Sequence, residues 1–189
     1  MKKRTPWRRG SAMSGGNTRK ERAGSYRGFQ LLPVHLYVLT HLKKAGVDYA
    51  KMMGKMSGLP LELITDAIED LLEIGLIERD PGSAVKRSRA RFKKAFEVHK
   101  HHTYYRLSRE GELFVRSIDR RWVEGYFNTL LPNGWKIARS LAESRDLKEA
   151  GRKVSIDGET LEELRVLRFV TEKGRKTEFF KRLWEFLGV

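Results

Sequence analysis

The chain has 189 residues, and its 39 Lys and Arg against 24 Asp and Glu give a net charge of +15. A charge of this size and sign indicates a polyanionic partner. The absence of cysteine excludes disulfides, Cys-ligated metals and Cys nucleophiles. Because no apolar run approaches the ~18 residues of a membrane span and the basic N-terminus lacks an apolar secretory core, we expect a cytoplasmic protein.

The positive charge is concentrated in two segments. Residues 1–30 contain nine Lys and Arg and one Glu, and residues 81–102 contain seven and one. Like charges packed together repel, so one-signed runs favour an anionic partner over a solvated surface. We therefore predict nucleic-acid binding by Lys2, Lys3, Arg4, Trp7, Arg8, Arg9, Arg19, Lys20, Arg22 and Arg27 in the first segment and by Lys86, Arg87, Arg89, Arg91, Lys93, Lys94, Lys100, His101 and His102 in the second.

The first 28 residues have Gly, Ser and Arg throughout and no hydrophobic periodicity. Such a segment cannot bury enough apolar surface to fold alone, so residues 1–28 are predicted to be a basic flexible tail. Aromatic residues interleave with its cations. This mixture of ion pairing and stacking is typical of arginine-rich segments that become ordered on RNA.

Three short helices are predicted after the tail. Leucines at three- and four-residue spacing predict a helix from Pro33 to about Gly46. Asp48 is a candidate N-cap for a second helix over residues 49–56. A third helix is predicted over residues 60–74.

Two strands and a longer helix follow. Residues 76–79 and 103–107 have strand composition, and the basic segment connects them. Residues 108–131 are predicted to form a fourth helix. Three helices, a hairpin with a long tip (the wing) and a closing helix make a winged helix-turn-helix domain, which we place at residues 29–122. The fold class is therefore mainly α with a small β-hairpin.

Residues 123–189 are predicted to form a separate C-terminal helical module. Its helices are expected over residues 135–144, from about residue 158 to 173, and at the C-terminus, while residues 152–156 are read as strand or loop. The last helix places Phe179, Phe180 and Trp184 close together. Such a stripe is either core or a contact surface for another protein or for a second copy in a homodimer.

One stretch resembles a known family. The sequence VDYAKMMGKMSGLPLELITDAIEDLLEIGLIER, followed by FEVHKHHTYYRLSREGE, resembles an archaeal family of winged-helix proteins of unknown function, over about residues 31–118. The resemblance implies an archaeal source and the winged-helix fold, but fold does not determine function. One Gln, three Asn and no Cys fit a hyperthermophile.

The third helix is the usual recognition helix of DNA-binding members of this fold. Here it carries five carboxylates and no Lys or Arg. Duplex DNA would repel such a helix, and only cytosine offers it a donor, so we expect no major-groove reading. The helix presents either a solvated acidic face or a surface for a basic protein, formed by Glu62, Asp66, Glu69 and Asp70.

The wing has a repeating basic pattern. In an extended conformation, Arg87, Arg89, Arg91 and Lys93 fall on one face at a repeat of ~6.6–6.8 Å. Guanidinium groups offer planar forks of donors that suit phosphates. The wing is therefore predicted to bind a nucleic-acid backbone without base specificity.

The end of the wing is rich in histidine. On a strand, Glu97, His99 and His101 would share a face and could bind a metal. Histidines beside a basic wing also stack on bases and bond phosphates, and a purely structural role is equally open. We predict no metal and no cofactor.

The chain has no P-loop, dinucleotide, zinc-protease or serine-hydrolase motif, so we predict that it is not an enzyme. The favoured hypothesis is an RNA-binding, ribosome-associated protein that binds ribosomal RNA, with ribosomal proteins as further partners. Such a factor could block subunit joining or hold idle subunits. The alternatives are a winged-helix transcription regulator on duplex DNA and a protein–protein adaptor.

Overall fold

The computed structural model describes residues 23–81 and 102–188. The first part contains the hairpin strands β1 (Ser25–Tyr26) and β2 (Phe29–Gln30), then α1 (Pro33–Ala45), β3 (Val47–Tyr49), α2 (Ala50–Ser57), α3 (Leu61–Glu73), β4 (Ile77–Arg79), β5 (Tyr104–Leu107) and α4 (Arg109–Ser117). The second part contains α5 (Arg120–Leu130), α6 (Gly134–Glu143), α7 (Leu147–Lys153), α8 (Gly158–Val166) and α9 (Glu178–Leu187).

The sheet confirms the predicted fold class. Strands β3, β4 and β5 form an antiparallel sheet in the order β3–β5–β4, with Tyr49 opposite Tyr104 and Ile77 opposite Leu107. Helices α1 to α3 come before the β4–β5 pair, and α4 closes the unit. This element order is that of a winged helix-turn-helix domain, in which the basic residues 82–101 connect the two wing strands.

Asp48 is not a helix cap, contrary to the prediction. It lies in β3, and its carboxylate accepts a hydrogen bond from His41 Nε2 at 2.8 Å. Helix α2 begins at Ala50 instead, because Val47 and Tyr49 pair with β5. The strand partner lies more than 50 residues away along the chain, so local pattern did not reveal it.

The predicted fourth helix is two helices. The backbone becomes extended at Ile118, and the Asp119 side chain accepts a hydrogen bond from Trp122 N at 2.7 Å to begin α5. An aspartate in this position satisfies the free N–H groups of a new helix start. The helix prediction through Trp122 is therefore wrong at this junction.

The C-terminal part differs from the prediction in two further places. Residues 147–153 form α7, with Asp146 as its N-cap, where strand or loop was expected from residue 152. Helix α8 ends at Val166 rather than near residue 173, and Arg168 adopts a positive φ of 59° just after it.

A single apolar core joins the two parts. Tyr37 on α1 packs edge-on against Phe179 of α9 at 5.7 Å and stacks with Phe186 at 6.0 Å. Its phenol donates to Met53 O at 3.1 Å, and burial raises the pKa of Tyr37 to about 12. The helices after residue 122 thus share their core with the winged helix, and the boundary predicted at residues 122 and 123 falls inside α5.

Two glycines allow close backbone approaches. A Cβ at Gly111 would lie 1.9 Å from the Leu76 carbonyl oxygen, and one at Gly134 would lie 1.9 Å from that of Phe127. Gly111 thus lets the start of α4 pack directly onto the chain entering β4. Within residues 23–81 and 102–188, no helix is long and apolar enough to cross a membrane.

Candidate nucleic-acid interface at the base of the wing

The net charge lies almost entirely outside the described residues. These carry 24 Lys and Arg against 22 Asp and Glu, whereas residues 1–22 and 82–101 carry 15 against two. The structure thus fixes where the two basic segments join the fold. Residues 82–101 connect β4 to β5, and residues 1–22 lead into the β1–β2 hairpin.

Most predicted nucleic-acid contacts fall in these two segments. The residues outside the described ranges are Lys2, Lys3, Arg4, Trp7, Arg8, Arg9, Arg19, Lys20, Arg22, Lys86, Arg87, Arg89, Arg91, Lys93, Lys94, Lys100 and His101. The metal hypothesis for Glu97, His99 and His101 falls there too. In the part of the chain that the structure describes, no group of three or more His, Cys, Asp or Glu could hold a metal ion.

An aromatic cluster lies where the wing meets the sheet. The His102 ring stacks on Tyr49 with centroids 4.5 Å apart and planes 13° apart, and Tyr49 contacts Tyr104 at 5.2 Å. All three residues are partly exposed. We call Tyr49, His102 and Tyr104 the wing-base cluster. Partly exposed aromatic rings of this kind are suited to stacking on unpaired bases.

Successive side chains of β5 face opposite sides of the sheet, and this alternation positions the cluster. Tyr105 and Leu107 pack against the core, so Tyr104 and Arg106 occupy the opposite face of the sheet. The β3 register then brings Tyr49 beside Tyr104. Of the three, only His102 was predicted as a contact, since Tyr49 had been assigned to a helix and Tyr104 only to a strand.

The Tyr104 phenol stays protonated. Burial raises its pKa, and the nearby Tyr49 and Asp48 add to the rise. A neutral phenol keeps its hydroxyl hydrogen and adds no negative charge to a surface that would face phosphates.

Arg106 beside the cluster is already paired. Its guanidinium donates to Glu78 at 2.7 Å across the β4–β5 pair and lies 3.8 Å from Asp80. These carboxylates neutralise much of its charge, and a cross-strand pair of this kind stabilises the sheet. Arg106 thus strengthens the base of the wing and is a poorer phosphate ligand than an unpaired arginine.

Arg27 belongs to an ordered turn rather than to a flexible tail. It lies in the β1–β2 turn with φ of 49°, and its guanidinium is 3.0 Å from Glu110 of α4. Tyr26 of the same hairpin donates to Glu110 and packs on Phe114 at 5.3 Å. The hairpin is thus anchored to α4, so residues 23–28 of the predicted tail are part of the described fold.

Helix α3 is as acidic as predicted, but Asp70 has an internal role. Its carboxylate accepts a hydrogen bond of 3.0 Å from Nε2 of the buried His35 on α1. His35 Nδ1 accepts from Leu32 N at 2.9 Å, so the neutral ring carries its proton on Nε2. Burial lowers the pKa of His35 despite the opposing effect of Asp70. Glu62, Asp66 and Glu69 are exposed, and the Asp70 side chain remains 45% exposed beside its bond to His35.

The aromatic residues of α9 are core residues. Phe179 and Phe180 are 2% and 1% exposed and pack around Phe169. Trp184 is half-buried and stacks on Trp135 at 5.5 Å. The two phenylalanines therefore cannot form the predicted surface for a second copy.

The comparisons with known proteins agree with the limits of the winged helix. Residues 26–118 match the model of a family described as "Uncharacterized protein conserved in archaea (DUF2250)". The match starts in β1 and ends where the backbone leaves α4, so it covers the described winged helix and the basic wing. No curated protein and no solved structure matches the chain.

Proposed function

We propose that this chain is a non-catalytic nucleic-acid-binding protein whose target is structured RNA. The observation that carries the proposal is the placement of charge. Residues 1–22 and 82–101 hold a net +13 of the total +15, and the second segment forms the connection between the wing strands. Lysine and arginine side chains at this density bind phosphates and release counterions.

The wing side of the domain is the binding face in this proposal. Helix α3 leaves Glu62, Asp66 and Glu69 exposed, and they would repel the phosphates on either side of a major groove. The wing-base cluster, in contrast, adjoins the basic segment directly at His102. A nucleic acid bound by the wing would therefore pass over this cluster.

The cluster favours RNA over duplex DNA. Stacking on Tyr49 and Tyr104 requires bases that are not already stacked in a duplex. Structured RNA offers such bases in loops and bulges. Within this class we propose ribosomal RNA as the target and a ribosome-associated role, such as blocking subunit joining or holding idle subunits.

Duplex DNA is the second candidate, and the winged helix-turn-helix topology favours it. A regulator of this kind would bind through phosphate contacts of the wing, with little base reading by α3. Its affinity would then depend on charge and not on the wing-base cluster.

The test compares the full chain on an RNA hairpin with an unpaired loop and on a DNA duplex of equal charge, at the same salt concentration. We expect the RNA to bind more tightly. Tyr49→Leu should weaken RNA binding about tenfold or more, since stacking contributes ~1–3 kcal/mol per base, whereas Tyr49→Phe keeps the ring.

Tighter binding to the duplex, with no effect of Tyr49→Leu on either ligand, would contradict the RNA proposal. Crosslinking in a native lysate tests the ribosomal part separately. There, recovery of ribosomal RNA supports the ribosome-associated role, and recovery of genomic DNA supports the regulator.

A further inference from the structure

An apolar groove of about 200 Å³ lies where the start of α1, the start of α3 and the end of α8 meet. Its lining is almost entirely apolar and includes Leu32, Val34, Leu59, Leu63, Val166 and Phe179. Arg168 is the one cation in this lining. We call this feature the α1–α3–α8 groove.

Large apolar side chains are unusually exposed around this groove. Leu32 is 51%, Leu63 37% and Val166 78% exposed, and they are three of the five large exposed apolar residues among those the structure describes. The other two are Leu61, also on α3, and Leu113 on α4. Single exposed apolar residues are ordinary, but a cluster around a groove marks an interaction site.

The charge beside the groove indicates a basic occupant. Leu63 lies on α3 between Glu62 and Asp66, which are both exposed. Helix α3 has five carboxylates and no cation along its length. A segment that combines an apolar anchor with positive charge would be complementary to both features.

Residues 1–22 have this composition and join the fold next to the groove. They contain eight Lys and Arg and one Glu, with Trp7 directly before Arg8 and Arg9. The chain passes from this segment to Gly24, whose carbonyl accepts from Leu31 N at 2.7 Å, and the next residue, Leu32, lines the groove. The sixteen residues that follow Trp7, up to Ala23, can span up to ~55 Å, so reach is not limiting.

We propose that the α1–α3–α8 groove is the docking site of residues 1–22 of the same chain. Trp7 occupies the apolar groove, and Arg8 and Arg9 lie against Glu62 and Asp66. Attachment within one chain gives an effective concentration of the order of mM, so a weak contact suffices. If the function proposed above holds, α3 and nucleic acid compete for the same arginines, and binding of RNA releases the segment.

The absence of cysteine makes a direct test possible in the full chain. A nitroxide spin label is attached at position 11 of the Ser11→Cys variant. The resulting broadening of methyl NMR signals is recorded in the absence of nucleic acid. We expect the signals of Leu32, Leu63 and Val166 to lose most of their intensity. Leu113 lies on α4 and outside the groove lining, so it should keep more of its intensity than these three residues.

A charge-reversal pair locates the electrostatic part of the contact. Glu62→Lys with Asp66→Lys should abolish the selective broadening. The matched control, Glu112→Lys with Glu124→Lys, makes the same change in charge on α4 and α5 and should leave the broadening intact. Broadening that is absent, or equal at Leu113, would overturn the proposal.

Two further readouts separate the other outcomes. Contacts between copies are detected by mixing spin-labelled chains with isotope-labelled chains that carry no nitroxide. If the groove signals broaden in that mixture, the occupant is a second copy and the proposal is overturned. Addition of RNA should restore the signals. If the chain binds no RNA but the broadening is present, the docking is supported and the proposed function fails.

Discussion

His35 of α1 and Asp70 of α3 are joined by a hydrogen bond of 3.0 Å in which the ring Nε2 donates to Oδ2. The imidazole is 2% exposed, and its other nitrogen accepts from the backbone at the start of α1. One buried ring thus connects the first helix with the helix that recognises DNA in other members of the fold. This contact stabilises the domain with a carboxylate that would otherwise face solvent.

Replacement of Asp70 should lower stability while replacement of its neighbour should not. Asp70→Ala leaves Nε2 of a buried histidine without its acceptor, so the free energy of unfolding should fall. We expect a decrease of only about 1 kcal/mol, because the carboxylate is half-exposed. Glu69→Ala, on the exposed face of α3, should have an unfolding free energy within about 0.5 kcal/mol of the parent chain. Urea denaturation of both variants measures the difference, and equal stabilities would contradict the assigned role of Asp70.

The same histidine makes stability depend on pH. Because burial lowers the pKa of His35 below its ordinary value of 6.5, the unfolded chain binds this proton more readily than the folded chain. Stability should therefore fall as the pH drops below about 6.5, by up to ~1.4 kcal/mol per pH unit, and this contribution should be flat above it.

His35→Gln removes this titration. Its unfolding free energy, measured by urea denaturation between about pH 5 and 7.5, should vary less steeply than that of the parent chain. If the two chains have parallel pH profiles, His35 is not neutral in the fold as described.

The β1–β2 hairpin defines where the chain can be shortened. Deletion of residues 1–22 should lower the melting temperature only slightly, through loss of the weak groove contact proposed above, because these residues precede the anchored hairpin. Deletion of residues 1–28 also removes the packing of Tyr26 on Phe114, and we expect it to cost about 2 kcal/mol. Thermal unfolding of the two truncated chains tests the contrast, and an equal effect of both would show that the hairpin adds no stability.

Gly111 is expected to tolerate no side chain. In Gly111→Ala the new methyl group would meet the Leu76 carbonyl at 1.9 Å, so α4 must move, at a cost of about 3 kcal/mol or more. Gly151→Ala is the matched helical control, since nothing lies within 4 Å of its Cβ. This control should gain up to about 1 kcal/mol from helix propensity. A Gly111→Ala chain as stable as the parent in denaturation would contradict the packing.

Local patterns predicted the first three helices and the two wing strands but missed the long-range pairings. The spacing of apolar residues revealed α1 and α3 almost to the residue. Strand β3 and the internal role of Asp70 depend on partners 35 or more residues away, which periodicity does not report. The apolar stripe of α9 could not be assigned to core or surface without the helix on which it packs.

The sequence predicted the two basic segments of the candidate site but not the aromatic wing-base cluster beside them. The basic segments are visible in composition because repulsion makes one-signed runs unusual in a packed fold. The wing-base cluster has no local signature, since the β3–β5 register brings Tyr49 next to Tyr104 and His102. The sequence signal that could have revealed it is the strand composition of residues 47–49 before a helix.

The central claim, that the wing binds nucleic acid through phosphates, is tested most directly by the salt dependence of RNA affinity. The wing variant Arg87→Gln, Arg89→Gln and Arg91→Gln is compared with a control variant, Arg121→Gln, Lys136→Gln and Lys148→Gln. The control removes the same charge from exposed residues of α5, α6 and α7.

Both variants are measured at several salt concentrations beside the parent chain. The account predicts that the slope of log K against log salt falls by about 2–3 in the wing variant and stays near the parent value in the control. Equal slopes in the two variants, or an affinity of the parent chain that does not change with salt, would contradict it.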